Sequence, residues 1–186
     1  TLRPRLNLTE RASVRPIKCQ REELVLGIDE ENNGAGAVIL LIEHDDSDAF
    51  LFRRAVAKIG FSGEVRVIGS ATEGRAYMEN TLEPSSTDGG EHFKRPILIF
   101  SDFRLAGHTA TKFLLWLHQH PKFSDIPVFI YSGTASGFSV ERLAFLGAIG
   151  YIPKTPDVEV LAAALEPFLP QSEVRHRAAL EAMSRS

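Results

Sequence analysis

The chain has 186 residues, 44% of them hydrophobic, which suits one domain with a substantial core and polar tails. Its formal net charge of -3 gives no basis for general polyanion binding, so we expect no nucleic-acid partner. A single cysteine, Cys19, excludes an internal disulfide framework and a cysteine-rich zinc site, and it fits a reducing, cytoplasmic compartment.

Residues 1–36 are polar and segregated by charge, mostly basic up to residue 21 and acidic between residues 22 and 31. They end in the run Asn-Asn-Gly-Ala-Gly, so we expect a flexible arm and linker. No apolar stretch follows the basic residues as a signal peptide would require. The apolar runs elsewhere are far too short to cross a bilayer, so we expect no membrane partner. The first residue is threonine, which leaves room for an upstream segment.

From residue 37 the sequence alternates between short apolar runs and amphipathic stretches, a pattern typical of alternating strands and helices. In chain order the pattern predicts a strand at 38–42, a helix at 46–59, a strand at 64–68, a helix from 70 to about 82, a loop at 84–95, a strand at 96–101, a helix at 109–120, a strand at 127–131, a helix at 139–146, a strand at 149–152 and a helix from 157 to about 168. A last polar helix is predicted at about 172–183, within a tail of residues 170–186.

Local signals support the first two helices. The acidic and hydroxyl side chains of residues 46–48 favour a helix start, and Gly60 favours its end. Ser70 and Glu73 have the spacing of a capping box. Five strands alternating with five helices predict a flavodoxin-like, doubly wound parallel sheet, a (βα)5 sandwich of three layers with helices on both faces.

Polar residues follow four of the five predicted strands. In doubly wound sheets the functional site lies at the carboxyl ends of the strands. The residues found there are Glu43, His44, Asp45 and Asp46 after the first strand, Asp102 after the third, Ser132 and Gly133 after the fourth, and Lys154 after the fifth. One acidic residue at a strand end is usually a helix cap or a turn residue. The whole series in this order is much less expected by chance, so we expect carboxylates, a hydroxyl and an ammonium to converge there.

Four segments at these strands resemble the CheY-like receiver domain of two-component response regulators, over residues 37–169. The segments are VILLIEHDDSDAFLFRRA, PILIFSDFRLAG, IPVFIYSGTAS and GAIGYIPKTPD. They resemble, in order, the acidic pocket with the first helix, the phosphoacceptor strand, the switch-hydroxyl strand, and the strand with the switch aromatic and the lysine. The chain is similar in particular to the single-domain receivers associated with phytochromes.

The resemblance implies a role for each residue at the strand ends. By position, Asp102 matches the phosphoacceptor, Glu43, His44 and Asp45 match the acidic pocket, and Ser132, Thr134, Tyr151 and Lys154 match the switch and phosphate-contact residues. The implied metal is Mg²⁺, held by Glu43, Asp102 and the backbone carbonyl of Arg104. A carboxylate can attack phosphorus without a base, so it needs only positioning and charge neutralisation. A divalent cation, an ammonium and a hydroxyl donor provide that neutralisation.

The resemblance also implies a function, which is that of a phosphoacceptor signalling domain rather than an enzyme. The implied phosphoryl donor is a sensor histidine kinase or a phosphotransfer protein. Too few residues follow the predicted domain for a DNA-binding or catalytic output domain, so we expect a stand-alone receiver that signals by protein contact. A homodimer through the fourth and fifth predicted helices is a reasonable expectation.

His44 departs from the family pattern, because a second acidic residue usually stands there. An imidazole is a poor Mg²⁺ ligand, and three alternatives follow. In the first, Asp45 or a water takes the place of the missing acidic ligand, and metal binding is weaker. In the second, the domain is a phosphorylation-independent interaction module. In the third, His44 recruits a softer metal together with Glu43 and Asp102. Thr155 stands where the family has proline, so the cis peptide of the family is doubtful here.

A more distant alternative is a flavodoxin-like small-molecule binder or a hydrolase. The sequence contains neither a glycine-rich phosphate loop nor a Ser-His-Asp pattern that would support it.

Overall fold

The computed structural model describes residues 36–82, 93–104, 109–133, 140–166 and 169. Five strands and five helices alternate within these ranges. The strands are β1 (Val38–Ile42), β2 (Glu64–Ile68), β3 (Leu98–Ser101), β4 (Val128–Ser132) and β5 (Gly150–Pro153). The helices are α1 (Asp46–Ile59), α2 (Ala71–Asn80), α3 (Thr109–Gln119), α4 (Val140–Phe145) and α5 (Val158–Leu165).

All ten of these elements were predicted from the sequence, with bounds that agree within about three residues. The N-terminal arm, most of the loop at 84–95 and the tail helix at 172–183 lie outside the described residues. No cis peptide bond occurs in the described ranges. None of the helices described there has the length and apolar character needed to span a bilayer.

The five strands form one parallel sheet in the order β2-β1-β3-β4-β5. The chain moves outward from β1 to β2 and then crosses back to β3, so the strand order reverses between β1 and β3. Ile42 at the end of β1 pairs with Ser101 at the end of β3. The residues that follow these two, Glu43 and Asp102, therefore leave neighbouring strands at the same edge of the sheet.

Two apolar layers enclose the sheet, one on each face, which confirms the predicted three-layer α/β/α architecture. All five residues of β1 are buried, because helices cover both faces of a doubly wound sheet. Alternate residues of β1 enter opposite layers. Leu40 and Ile42 pack in the layer that includes residues of α2 and α3, and Ile39 and Leu41 pack in the layer that includes residues of α1 and α5.

An aromatic cluster fixes α1 over the strand ends. The ring of Phe52 on α1 lies 4.9 Å from that of Phe100 on β3 and 5.3 Å from that of Tyr131 on β4, both edge to face. Such pairs add about 0.5–1.5 kcal/mol each beyond the area that they bury. Their packing sets the position of the first turn of α1, which borders the candidate site.

Candidate functional site

The carboxyl ends of β1, β3, β4 and β5 bring four polar side chains into the interior. Glu43, Asp102 and Ser132 are buried, and the side chain of Lys154 is only 10% exposed. The backbone continues the sheet ladder at these positions, since the N–H of Asp102 donates to the carbonyl of Ile42 at 2.9 Å. The site therefore stands on the rigid sheet rather than on the loops alone.

The ammonium of Lys154 contacts three carboxylates. Its Nζ lies 2.5 Å from Glu43 Oε2, 2.8 Å from Asp48 Oδ2 and 2.9 Å from Asp102 Oδ2. Burial by itself lowers the pKa of Lys154, but the hydrogen bonds with Asp48, Glu43 and Asp102 outweigh it and raise this pKa above its ordinary value. Lys154 is therefore held as a cation beside the buried carboxylates and offsets their repulsion.

Backbone N–H groups orient the two buried carboxylates. Glu43 Oε1 accepts a hydrogen bond from the N–H of Asp45 at 2.9 Å, and Asp102 Oδ1 accepts one from the N–H of Arg104 at 3.0 Å. Each carboxylate thus has one oxygen on Lys154 and the other on the backbone. An oxygen that accepts one N–H bond still has a lone pair for a cation or a phosphoryl donor.

The carbonyl oxygen of Ser132 links the fourth and fifth strands at the site. It accepts the Tyr151 hydroxyl at 2.8 Å and the N–H of Lys154 at 2.9 Å. The Ser132 hydroxyl is buried and has no hydrogen-bond partner among the described residues. Burial raises the pKa of Tyr151, so its hydroxyl stays a donor. Among the described residues, the Ser132 hydroxyl is therefore free to donate to a group that enters the site.

The acidic stretch after β1 divides between two tasks. Asp45 caps α1, because its Oδ1 accepts the N–H groups of Ser47 at 2.8 Å and Asp48 at 3.0 Å. The bond from the Asp48 N–H holds the pKa of Asp45 below its ordinary value. The carboxylate of Asp45 is therefore engaged with the helix, whereas that of Asp48 reaches Lys154.

His44 lies at the mouth of the site. Its side chain is 54% exposed, and its Nδ1 lies 3.5 Å from Glu43 Oε1. Glu43, His44 and Asp102 each offer a ligand atom, and these atoms lie within 4.8 Å of one another. Two carboxylates and an imidazole at this spacing are consistent with divalent-cation binding.

Sequence reasoning missed two residues of the site. The sequence pattern assigned Asp48 only to the start of a helix. Three acidic residues within four positions (45, 46 and 48) are more than one helix cap needs, which indicates a second role for one of them. Tyr131 was considered a strand residue, yet its ring centroid lies 5.4 Å from the Lys154 ammonium. Its buried hydroxyl has no partner within the ranges that the structure covers, and burial raises its pKa. The predicted site residue Thr134 lies outside the described residues.

No model of a known protein family matches the sequence. The chemotaxis protein CheV3 of Helicobacter pylori is 27% identical over 116 residues, which are 62% of this chain and 36% of that protein. The matched part of this chain thus spans about a third of the length of that curated relative.

Solved structures match this chain over a larger share of both chains. The phosphorylated cyanobacterial phytochrome response regulator RcpA is 23% identical, with a TM-score of 0.57, over 71% of this chain and 90% of that chain. The Mn²⁺-bound form of the response regulator Rcp1 is 20% identical, with a TM-score of 0.55, over 70% and 89%. The predicted resemblance is confirmed at the level of the fold, since this chain has the receiver fold of CheY-like response regulators.

Proposed function

We propose that this chain is a receiver that accepts a phosphoryl group on Asp102 and reports it by protein contact. The receiver comprises residues 37–169, with residues 1–36 as an arm and 170–186 as a tail. One observation carries the proposal. The ammonium of Lys154, whose side chain is only 10% exposed, lies within 2.9 Å of two buried carboxylates that follow adjacent strands, Glu43 and Asp102. Burying two carboxylates is costly without a counter-charge, and an ammonium beside a nucleophilic carboxylate can stabilise the charge that develops in phosphoryl transfer.

The chemistry requires positioning and counter-charge rather than a base. An oxygen of Asp102 forms the new O–P bond, and the P–N bond of a phosphohistidine donor breaks, leaving its imidazole to take a proton. The ammonium of Lys154, now on Asp102 Oδ2, offsets the charge that develops on the phosphoryl oxygens. The N–H of Arg104 keeps the carboxylate oriented.

A divalent cation bound by Glu43 and Asp102 supplies further charge neutralisation in this proposal. Their oxygens suit Mg²⁺, whereas the imidazole of His44 does not. Rcp1, which has the same fold, has been solved in a Mn²⁺-bound form. The backbone carbonyl of Arg104 is a further proposed ligand, and Asp45 contributes through its cap on α1 rather than through a contact with Lys154.

The switch in this proposal starts from the buried Ser132 hydroxyl. Because that hydroxyl has no partner among the described residues, it can donate to a phosphoryl oxygen on Asp102 without breaking an existing bond. The bond from Tyr151 to the Ser132 carbonyl couples the same residue to the surface beside β5. Movement of Ser132 toward the phosphoryl group then changes the position of the aromatic ring. Thr134 is proposed as a second hydroxyl contact.

The proposed partners are a sensor histidine kinase or phosphotransfer protein as donor, and a second copy of the chain at α4 and α5. Phe145 on α4 is 66% exposed and Val160 on α5 is 46% exposed. Large apolar side chains exposed at the surface favour association. CheV3, matched over part of its length, is named a chemotaxis protein, and RcpA and Rcp1 are named response regulators, which fits a signalling role rather than an enzymatic one.

The phosphoacceptor role can be tested by mass. Incubation with phosphoramidate and a divalent cation should add one phosphoryl group to the wild type, and Asp102→Asn should abolish the addition. Asp125→Asn is the matched control, because Asp125 is exposed and pairs with Arg95 away from the site. Absence of any added mass with Mg²⁺, Mn²⁺ or Co²⁺ would reject the proposal.

A second candidate is a receiver fold that binds its partner without phosphorylation. The observation that favours it is His44 at the mouth of the acidic pocket. In that case Asp102→Asn leaves partner affinity unchanged, whereas the first proposal expects the variant to lose the phosphorylation-dependent part of that affinity.

A further inference from the structure

The donor set at the mouth of the pocket is mixed. Glu43 and Asp102 offer carboxylate oxygens, and His44 offers an imidazole nitrogen, all within 4.8 Å of one another. Ligand atoms bound about 2.1 Å from one tetrahedral ion lie about 3.4 Å apart. The three groups therefore need shifts of up to about 1 Å to share a small divalent ion, and the 3.5 Å between His44 Nδ1 and Glu43 Oε1 already fits that spacing.

Burial leaves His44 better able to adjust than its two companions. Its side chain is 54% exposed, whereas those of Glu43 and Asp102 are 0% and 3% exposed. A half-exposed imidazole can turn toward an ion with little loss of packing. Its Nδ1 already lies 3.5 Å from Glu43 Oε1, the oxygen of that carboxylate that accepts the Asp45 N–H.

Lys154 pairs with one oxygen of each buried carboxylate. Its ammonium contacts Glu43 Oε2 and Asp102 Oδ2, while Glu43 Oε1 and Asp102 Oδ1 accept one backbone N–H each. The second lone pair of each of those oxygens is available to an ion. In this arrangement the lysine stays as a counter-charge on Oε2 and Oδ2, and Oε1 and Oδ1 serve as the ligand atoms for the ion.

Ligand chemistry decides which ion this set prefers. Mg²⁺ takes hard oxygen ligands and gains nothing from an imidazole, whereas Zn²⁺, Co²⁺ and Ni²⁺ bind imidazole nitrogen well. We infer that His44 makes this pocket selective for a first-row transition ion over Mg²⁺, with Glu43, His44 and Asp102 as its protein ligands. The inference rests on the proposed function for the place of the ion, but binding itself requires no phosphoryl donor.

The test measures ion binding by the full chain without a phosphoryl donor. Titration calorimetry with Zn²⁺, Co²⁺ and Mg²⁺ should give dissociation constants at least about a hundredfold lower for the transition ions. His44→Ala should weaken Co²⁺ binding about ten- to a hundredfold and leave Mg²⁺ binding within about twofold. His44→Asp should strengthen Mg²⁺ binding and so reduce the ratio of the Mg²⁺ to the Co²⁺ dissociation constant. A Co²⁺-to-Mg²⁺ ratio unchanged in both variants would overturn the inference.

A direct readout excludes an indirect effect of the substitution. Zn²⁺ should shift the NMR resonances of the His44 imidazole nitrogens, identified by their loss in His44→Ala, and Mg²⁺ should not. His120→Gln is the control for binding at other histidines, because His120 stacks on Phe123 away from the pocket. Zn²⁺ shifts at other histidines alone would reject the site.

The two proposals fail in different ways. If Co²⁺ binds through His44 but no phosphorylation occurs with any ion, the receiver function is rejected and the metal selectivity stands. If Asp102 is phosphorylated with Mg²⁺ and His44→Ala leaves the ion preference unchanged, the selectivity is rejected and the receiver function stands.

Discussion

The carboxylate of Asp48 lies 2.8 Å from the ammonium of Lys154 and joins the first turn of α1 to the end of β5. Because Asp48 is the third carboxylate on this ammonium, it competes with an incoming phosphoryl group for Lys154. Its side chain is 31% exposed, so solvent screens part of the interaction.

Removing that competitor should make phosphorylation faster. We expect Asp48→Asn to raise the initial rate with phosphoramidate about two- to fivefold, corresponding to less than about 1 kcal/mol. Asp46→Asn is the control, because Asp46 is an exposed acidic residue of the same helical turn. A slower rate in Asp48→Asn than in the control would mean that Asp48 assists the reaction instead.

Removing the cation should destabilise the fold. Lys154→Ala leaves Glu43 and Asp102 buried without their shared counter-charge, and we expect the free energy of unfolding to fall by about 3–5 kcal/mol. Urea denaturation measures this change. Adding Glu43→Gln to the same variant should restore part of the stability, because it removes one of the two buried negative charges that have lost their counter-charge. A loss below about 1 kcal/mol in Lys154→Ala would show that the cluster is not coupled as described.

Alkaline pH should weaken the fold through three groups. Lys154, Tyr131 and Tyr151 have folded-state pKa values above their ordinary values of 10.5, 10.0 and 10.0. Above about pH 10 the unfolded chain therefore releases protons that the folded protein keeps, so the stability that these groups contribute is fully present below that pH and falls above it. Each group contributes a slope of at most about 1.4 kcal/mol per pH unit.

The variant Tyr131→Phe isolates the contribution of Tyr131 to this slope. It removes a buried hydroxyl that has no partner within the described ranges, so stability at neutral pH should stay equal or rise. Denaturation between pH 9 and 11 should show a shallower decline than in the wild type. If stability falls with pH as steeply in Tyr131→Phe as in the wild type, then Tyr131 does not contribute to the loss of stability at alkaline pH.

The Ser132 hydroxyl should matter for the phosphorylated form and not for the free protein. We expect Ser132→Ala to change the free energy of unfolding by less than about 1 kcal/mol, because the buried hydroxyl makes no hydrogen bond to the described residues. The yield of the phosphorylated form should drop severalfold, measured by intact mass. Tyr151→Phe should instead lower the free energy of unfolding and leave the yield of the phosphorylated form nearly unchanged. The reason is that the Tyr151 hydroxyl already donates to the Ser132 carbonyl at 2.8 Å.

Association should depend on the exposed side chain of α4. Phe145→Ser should weaken self-association of the phosphorylated protein about tenfold or more, because Phe145 is a large apolar group 66% exposed on that helix. Sedimentation velocity measures the change. Phe50→Ser is the matched control, since Phe50 is 59% exposed on α1. Equal effects of both variants would argue against the interface at α4 and α5.

The polypeptide pattern determined the order of the elements and the edge at which the site lies. Short buried runs such as Val38–Ile42 and the cap signals at Ser70 and Gly60 are local, so they are visible without a fold. The parallel sheet then brings strand ends together, which is why Glu43, Asp102 and Lys154 could be expected to meet. The structure and its likeness to solved receivers confirmed the predicted fold, and the roles of the individual residues stay predictions.

Only the tertiary structure decided which acidic side chain serves which task. Asp45 and Asp48 are three residues apart and look equivalent in the sequence, yet one caps α1 and the other reaches Lys154. That division depends on how Phe52 packs α1 against the sheet, because this packing sets the rotation of the helix relative to β5. Contacts between separate elements depend on such packing distances, which local sequence signals do not encode.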